Sequence, residues 1–288
     1  MEVRWEAIFG EPRRSADLQS HCGPGDRSGQ ADGVRVKGDT AMAEGQVPTR
    51  NSHHPLVRRY MTCDRGVVRR LVIACADHRV VPSCLDSNPR LVADVLTRYY
   101  VDFEPEACWV ADDPGSGVVG YLFGCHSTAR RNRVMASRIV PSVLLRALLS
   151  GAAFSCPVGQ LARAGLRTWR SGHAVKSRAA SGYPAHLHIG VHEDHRRQGV
   201  GRELVLRFIE HVRTEEGIPG IHASVVEANS PACALLRNVG FDVLGQYGVI
   251  FPGSPRASVR MLLLGLQVPS PGDPQRSGSS SRGKGVGR

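Results

Sequence analysis

Between Leu187 and Arg202 the chain sets out the residue types of an anion-binding turn. An alternating apolar segment (Leu187, Ile189, Val191) leads into His192-Glu193-Asp194-His195-Arg196-Arg197-Gln198-Gly199-Val200-Gly201. The next stretch has Val200, Leu204, Phe208 and Val212 at i, i+4 spacing, reinforced by Val205 and Ile209, with Arg202, Glu203, Arg207, Glu210 and Arg213 between them. Alternation predicts a strand and the four-residue spacing predicts an amphipathic helix, so the unit reads strand, turn, helix. Glycine lets a main chain approach a ligand closely, and the first N–H groups of a helix have no internal acceptor. The chemistry of such a turn is the binding of phosphate.

Two familiar phosphate turns do not fit. The dinucleotide fingerprint needs three glycines as G-x-G-x-x-G, and the nucleoside-triphosphate loop ends in Gly-Lys-Ser/Thr. Downstream, Ile218 to Val226 reads as a strand. Asn229-Ser230-Pro231-Ala232 follows, in which Asn229 or Ser230 can cap a helix and Pro231 suits its first turn. That helix stops at Gly240, before Phe241. The pattern Arg196-x-x-Gly199-x-Gly201, then Asn229-x-x-Ala232, a short helix and Gly240-Phe241, resembles the GNAT superfamily of acyl-CoA-dependent N-acetyltransferases.

The resemblance implies an α/β (α+β) fold: a mixed, mostly antiparallel central sheet flanked by helices, with acetyl-CoA as co-substrate. It implies that the backbone of Ile189, Gly190 and Val191 lines the acetyl-pantetheine arm, a main-chain N–H facing the thioester oxygen. Arg196, Arg197, Gln198, Gly199, Val200, Gly201 and Arg202 would hold the pyrophosphate, and Asn229 and Ala232 would border the pantetheine on its far side. A narrower resemblance rests on Tyr183-Pro184-Ala185-His186-Leu187-His188-Ile189, which is similar to the acetyltransferase-like domain of O-GlcNAcases and its bacterial relatives.

Acetyl transfer to an amine requires positioning, polarisation of the thioester carbonyl, and two proton movements. Here the chain departs from its relatives. Leu236 stands where many carry a Tyr acid, Ala185 where some place a Glu base, and Gly190 where the narrower group often has Asp or Asn. What remains nearby is His186, His188, Tyr183 and Glu227. Unperturbed histidine titrates near ~6.5 and can accept a proton at neutral pH. His188 and His186 alternate along one strand, so they share a face and are the catalytic candidates. Hydrogen-bonded strand histidines without a catalytic part are the other reading of the pair. The functional expectation is transfer of acetyl to a primary amine of a small molecule or protein. The alternative is a non-catalytic acetyl-CoA-binding pseudoenzyme or interaction domain.

The chain has 288 residues with 41% hydrophobic content, enough for a core, and a formal net charge of +11. That charge raises nucleic acid as a partner. It is concentrated, however: from Pro114 to His192 there is no Asp or Glu, while Arg130, Arg131, Arg133, Arg138, Arg146, Arg163, Arg167, Arg170, Lys176 and Arg178 fall in the span. Such a block could face an anionic acceptor or the phosphates of coenzyme A, and a solvated basic loop is the other reading. No aromatic-interleaved basic motif or helix-turn-helix pattern adds to the charge, so charge alone supports a nucleic-acid-associated protein, the third and least favoured class. A homodimer is left open. The apolar runs are too short to span a membrane and Met1 to Gly10 carries two glutamates, so a cytoplasmic location is expected. The eight cysteines form no C-x-x-C pair, which favours reduced thiols; no metal site is expected.

Residues 1–54 mix Gly, Ser, Pro, Asp and Arg without periodicity, and residues 268–288 are rich in Ser, Gly and Pro; both are expected to be disordered flanks of one domain over 55–267. Within it the expected order is a strand over Leu56 to Met61, a helix over Val67 to Cys75 capped by Asp64, and a helix over Pro89 to Val101. A hairpin follows, Ala107 to Ala111 and Val118 to Phe123, turning through Asp112-Asp113-Pro114-Gly115. Next comes an insertion over about 126–183, with helical spacing in Ile139 to Leu149 and Val158 to Arg170. After the signature unit, strands over Phe241 to Val249 and Ser258 to Leu266 close the sheet.

Overall fold

In a computed structural model, the structure describes residues 54–75, 89–149, 182–215, 217–250 and 258–269. Strand β1 (Leu56–Arg59) is followed by helices α1 (Arg65–Cys75) and α2 (Pro89–Phe103), then by the hairpin of β2 (Cys108–Asp113) and β3 (Gly117–Cys125). Helix α3 (Thr128–Val134) continues through a π-turn (Met135–Ile139) into α4 (Val140–Leu149). The signature unit is β4 (Ala185–Val191) and α5 (Val200–Thr214), and β5 (Gly220–Val226), α6 (Ser230–Asn238), β6 (Asp242–Ile250) and β7 (Ser258–Gln267) complete the order.

The seven strands form one sheet in the order β1-β2-β3-β4-β5-β7-β6. Every neighbouring pair is antiparallel except β4 and β5, which run parallel. The fold is therefore a mixed, mostly antiparallel open sheet flanked by helices. Its two faces follow from strand alternation. On one, Ala185 and Leu187 pack with Val200, Leu204, Phe208, Leu236 and Phe241 under α5 and α6. On the other, Tyr121 and Phe123 pack with Val68, Leu71, Tyr99, Tyr100 and Ile139 under α1, α2 and the long helix. Leu204 and Phe208, both fully buried, lie on the stripe that the spacing predicts; each such side chain contributes roughly 1.5–3 kcal/mol of burial.

Where boundaries differ from expectation, side chains explain the difference. Strand β2 runs on through Asp113, because Asp113 Oδ2 accepts from the N–H groups of Gly115 (3.1 Å) and Ser116 (2.8 Å) and makes the turn itself. Asp64 is not a simple cap. It lies buried in a short 3-10 turn, accepts the Met61 N–H at 2.8 Å, and takes the Arg58 guanidinium that also bonds Asp112. The helix expected over Ile139 to Leu149 begins earlier, at Thr128, where Ser127 Oγ accepts from the Arg130 N–H. The expected helix over Val158 to Arg170 lies outside the described residues, as do 1–53 and 270–288. At the domain edges, His54 bonds the Gln198 carbonyl (3.0 Å), and Val268 is buried with its N–H on Pro219 O (2.9 Å). The five described cysteines are free thiols, and Cys108, Cys125 and Cys233 are buried. No helix of the described residues is long and apolar enough to cross a membrane.

Candidate functional site

Strands β4 and β5 pair only at Ala185 with Ile221 and His186 with His222. Beyond that point β4 keeps its partner β3 as far as Val191 but has none on the β5 side. The orientation of its main chain follows from two bonds on the β3 side, Thr128 N–H to Pro184 O (2.9 Å) and His192 N–H to Val119 O (2.8 Å). Main-chain groups alternate along a strand. The polar groups of Leu187, Ile189 and Val191 therefore point away from β3, into the gap where the strands part. The Val191 carbonyl is already taken, by Arg196 Nε at 3.0 Å.

The turn that follows is held by its own atoms. The Arg196 N–H bonds Glu193 O, and Gln198 Nε2 bonds Asp194 O. Arg197 takes the left-handed conformation (φ 62°), which costs a non-glycine residue on the order of 1–3 kcal/mol. Gly199 follows at φ 85° and is the N-cap of α5, its carbonyl accepting the Glu203 N–H. The next amides, on Val200, Gly201 and Arg202, are those a helix cannot satisfy internally. The Arg196 side chain turns away from this turn to Val191 and to the Cys75 thiol on α1, which burial pushes up in pKa. Across the gap, Asn229 caps α6 with Oδ1 accepting the Ala232 N–H at 3.2 Å. The cofactor candidates thus fall on two sides of one parted strand pair, except that Arg196 contributes only its backbone.

On the α1, α2 face, His186 and His188 do share one side of β4. His186 Nδ1 lies 3.4 Å from Tyr100 OH, and its ring is 5.1 Å from that of His222. His222 Nδ1 is 2.7 Å from the Tyr183 carbonyl, which can only accept, so Nδ1 carries the hydrogen. His188 stacks on Tyr121 and Phe123. Burial, and then the positive charge of Arg131, hold its pKa down to about 4, so it is neutral at pH 7. Gly190 sits beneath the Tyr121 phenol. Of the other candidates, Glu227 is paired with Arg260 Nε at 2.8 Å, and Leu236 is 1% exposed in the core under α6. Sequence reasoning missed Tyr100, Tyr121, His222 and the role of Arg131. Only the acid-free composition around Arg131 gave any signal.

A second polar cluster lies at the opposite end of α5, about 18 Å along the helix from Gly199. Donor and acceptor atoms of His126, His211 and Glu215 come within 4.8 Å of one another. Hydrogen-bond direction accounts for this convergence. Arg59 only donates, so His211 Nδ1, 3.4 Å from its guanidinium, accepts. His211 Nε2–H then donates to His126 Nε2 (2.9 Å), and His126 Nδ1–H faces Glu104 Oε2 at 3.2 Å. Burial, then Arg59 and His126, hold the His211 pKa down to about 4, whereas the Glu104 hydrogen bond raises that of His126.

The GNAT acetyltransferase family model matches residues 82–241. That is more than half of the 288 residues, and the chain belongs to this family. The crystal structure of SsHAT is similar over 76% of this chain and 100% of its own, at 26% identity and a TM-score of 0.52. The Salmonella typhimurium protein yncA, solved with its cofactor acetyl-CoA, is 16% identical over 77% of this chain and 98% of its own, at a TM-score of 0.44. A mycothiol acetyltransferase of Thermobifida fusca is 40% identical over 55 residues, which are 19% of this chain. The matched stretch spans 17% of the length of that curated relative.

Proposed function

We propose that the chain transfers an acetyl group from acetyl-CoA to a primary amine of a small molecule or protein. The observation that carries this reading is the parting of β4 from β5 after His186, directly before a turn that presents helix-start amides. The two together make a backbone-lined channel with an anion site at its mouth. The Ile189 N–H would face the thioester oxygen and Val200, Gly201 and Arg202 the pyrophosphate; Gly190, Val191, Asn229 and Ala232 would flank the pantetheine. Arg197 and Gln198 shape the turn.

The amine nitrogen bonds to the acetyl carbon as the carbon–sulfur bond breaks. The amine proton passes to His188 or His186, directly or through water, and the departing thiolate takes a proton from water. Kinship with the acetyltransferase-like domains of O-GlcNAcases is a narrower proposal, supported by the run Tyr183 to Ile189 alone.

Thermal shift of the full chain with acetyl-CoA, CoA and an unrelated nucleotide tests the binding half. A ligand selective for the native state at a hundredfold excess over Kd adds about 2.7 kcal/mol. Both thioester and CoA should raise Tm and the unrelated nucleotide should not. Thiol release with an amine panel tests turnover, and a shift without any turnover selects the non-catalytic alternative.

A further inference from the structure

Helix α3 presents Thr128 and Arg131 one turn apart, hence on one face. Among the described residues, five side chains hold a fully buried polar atom with no hydrogen-bond partner: Tyr60 OH, Thr128 Oγ1, Arg131 Nε, His188 Nδ1 and His195 Nδ1. Buried polar groups are almost always satisfied, so such an atom calls for a missing partner. Three of the five belong to a single wall. Arg131 lies over the Tyr100 ring at 5.4 Å, and Tyr100 OH approaches His186. The Arg131 charge acts on both His188 and Cys125, and Thr128 sits against the Cys125 thiol. Cys125 is itself the register partner of His186, at the point where β4 and β5 begin to part.

Among the described residues the guanidinium at this wall has no carboxylate counter-ion. Its side chain meets Asn132 Oδ1 from NH1 (3.3 Å) at the surface and the Tyr100 phenol inside. By contrast, the neighbouring Arg130 reaches the buried Glu104, and Arg146 reaches Asp94. Arg131 is half-buried with its Nε enclosed and unpaired, and enclosing part of a cation without an anion is costly unless a ligand supplies one. The planar guanidinium fork matches a carboxylate, and a hydroxyl beside it can donate to the same group.

We infer that this wall is the acceptor pocket and that Arg131, assisted by Thr128, binds the carboxylate of an amino-acid-type acceptor whose amine then lies against the histidines of β4. The inference rests on the acetyltransferase reading above. It narrows the acceptor to amines that carry an acid group. A carboxylate bound at Arg131 also offsets the positive charge that suppresses protonation of His188, so the correct acceptor raises the basicity of the group nearest its own amine.

The test uses the full-length chain and three matched pairs: phenylalanine and phenethylamine, histidine and histamine, lysine and cadaverine. Thiol release from acetyl-CoA is read with each. At least one amino acid should exceed its decarboxylated partner in kcat/KM by about tenfold or more, a floor far below the roughly 10⁴-fold rejection that fully buried unpaired polar groups can impose. Arg131→Met should bring that ratio towards one by raising the acceptor KM, with the KM for acetyl-CoA unchanged, and Arg131→Lys should restore part of the preference. Decarboxylated amines used equally well or better, or a preference unchanged in folded Arg131→Met, would overturn the assignment. Thermal shifts of the wild type with the same amino acids keep the question open to measurement if Arg131→Met does not fold. There, no shift with any of the three acids, in the presence of CoA, counts against the pocket. An acetyl-CoA shift with turnover of decarboxylated amines alone refutes the pocket and spares the enzyme. Binding without any turnover refutes both, and absence of an acetyl-CoA shift removes the function on which they rest.

Discussion

The Tyr121 ring occupies the space that a Cβ on Gly190 would need: an ideal Cβ there would stand 2.6 Å from Cε1 and 2.7 Å from the phenolic oxygen. Tyr121 and Gly190 face each other across β3 and β4, and β4 is the strand that borders the gap. The absent side chain at 190 is thus a packing requirement. Gly190→Ala should cost about 1–3 kcal/mol through overpacking. Scanning calorimetry would read this as a Tm lowered by roughly 2–4 °C per kcal/mol. Affinity for acetyl-CoA should fall as well, since β4 would be pushed into the gap. An unchanged Tm in the variant would mean that Tyr121 has room to move.

Gly199 combines a left-handed backbone with the N-cap of α5, in the turn proposed to bind the pyrophosphate. Gly199→Ala should lose about 1 kcal/mol from strain alone and retain the acetyl-CoA shift. Gly199→Asp should lose the shift altogether, because a carboxylate would stand beside the amides meant for phosphate. Retained binding by folded Gly199→Asp would show the pyrophosphate site to be elsewhere.

At the C-terminal edge of the domain, Val268 is 4% exposed and its N–H bonds Pro219 O. A chain ending at Gln267 should therefore be less stable than one ending at Ser270. Loss of the buried side chain amounts to about 1.5–3 kcal/mol and of the hydrogen bond to about 0.5–1.5 kcal/mol. Urea denaturation of the two truncations, both starting before His54, compares them directly, and equal midpoints would show that Val268 adds nothing.

Acid stability should follow two histidines. His188 and His211 are both held down to about 4, chiefly by burial. Above pH 6.5 each is neutral in folded and unfolded chains, and its stabilising contribution is complete. As pH falls from 6.5 to 4 the unfolded chain takes up protons that the folded chain refuses, so stability is lost across that window. His126 runs the other way: its raised value gives stability below 6.5 that fades as pH rises through the folded pKa. A Tm series from pH 7.5 to 4 should show the acid loss, with a shallower slope in His211→Gln. A parallel series would mean that His211 is solvated.

The legible part of this protein was the part built from contiguous residues. The turn from Arg196 to Gly201 is one run of consecutive residues, so its glycine spacing and the helical stripe behind it were visible in one stretch. The Asn229 cap and the hairpin are equally local. The proposed acceptor wall was not visible, because sheet register sets Tyr121 beside His188 while the packing of α2 and α3 on the sheet brings Tyr100 and Arg131 to them. The His126 to His211 bond joins positions 85 residues apart, and no spacing rule announces such a contact. Leu236 and Gly190 read as missing chemistry in sequence. In the fold, Leu236 is core and Gly190 makes room for a neighbouring ring.

Helix α3 passes into α4 through the π-turn at Met135–Ile139 without a break. Such a turn absorbs one residue more than the α-helix around it. Because each helical residue advances the azimuth by about 100°, that extra residue rotates Thr128 and Arg131 relative to Ile139 and Val143, which are buried against the core. Acceptor recognition and core packing are thereby mounted on the same rod at independently adjustable angles. Insertion or loss of a single residue in this segment would re-aim the guanidinium while leaving β4 and the turn after it untouched, a route by which such a fold could change its acceptor without rebuilding the proposed acyl-donor site.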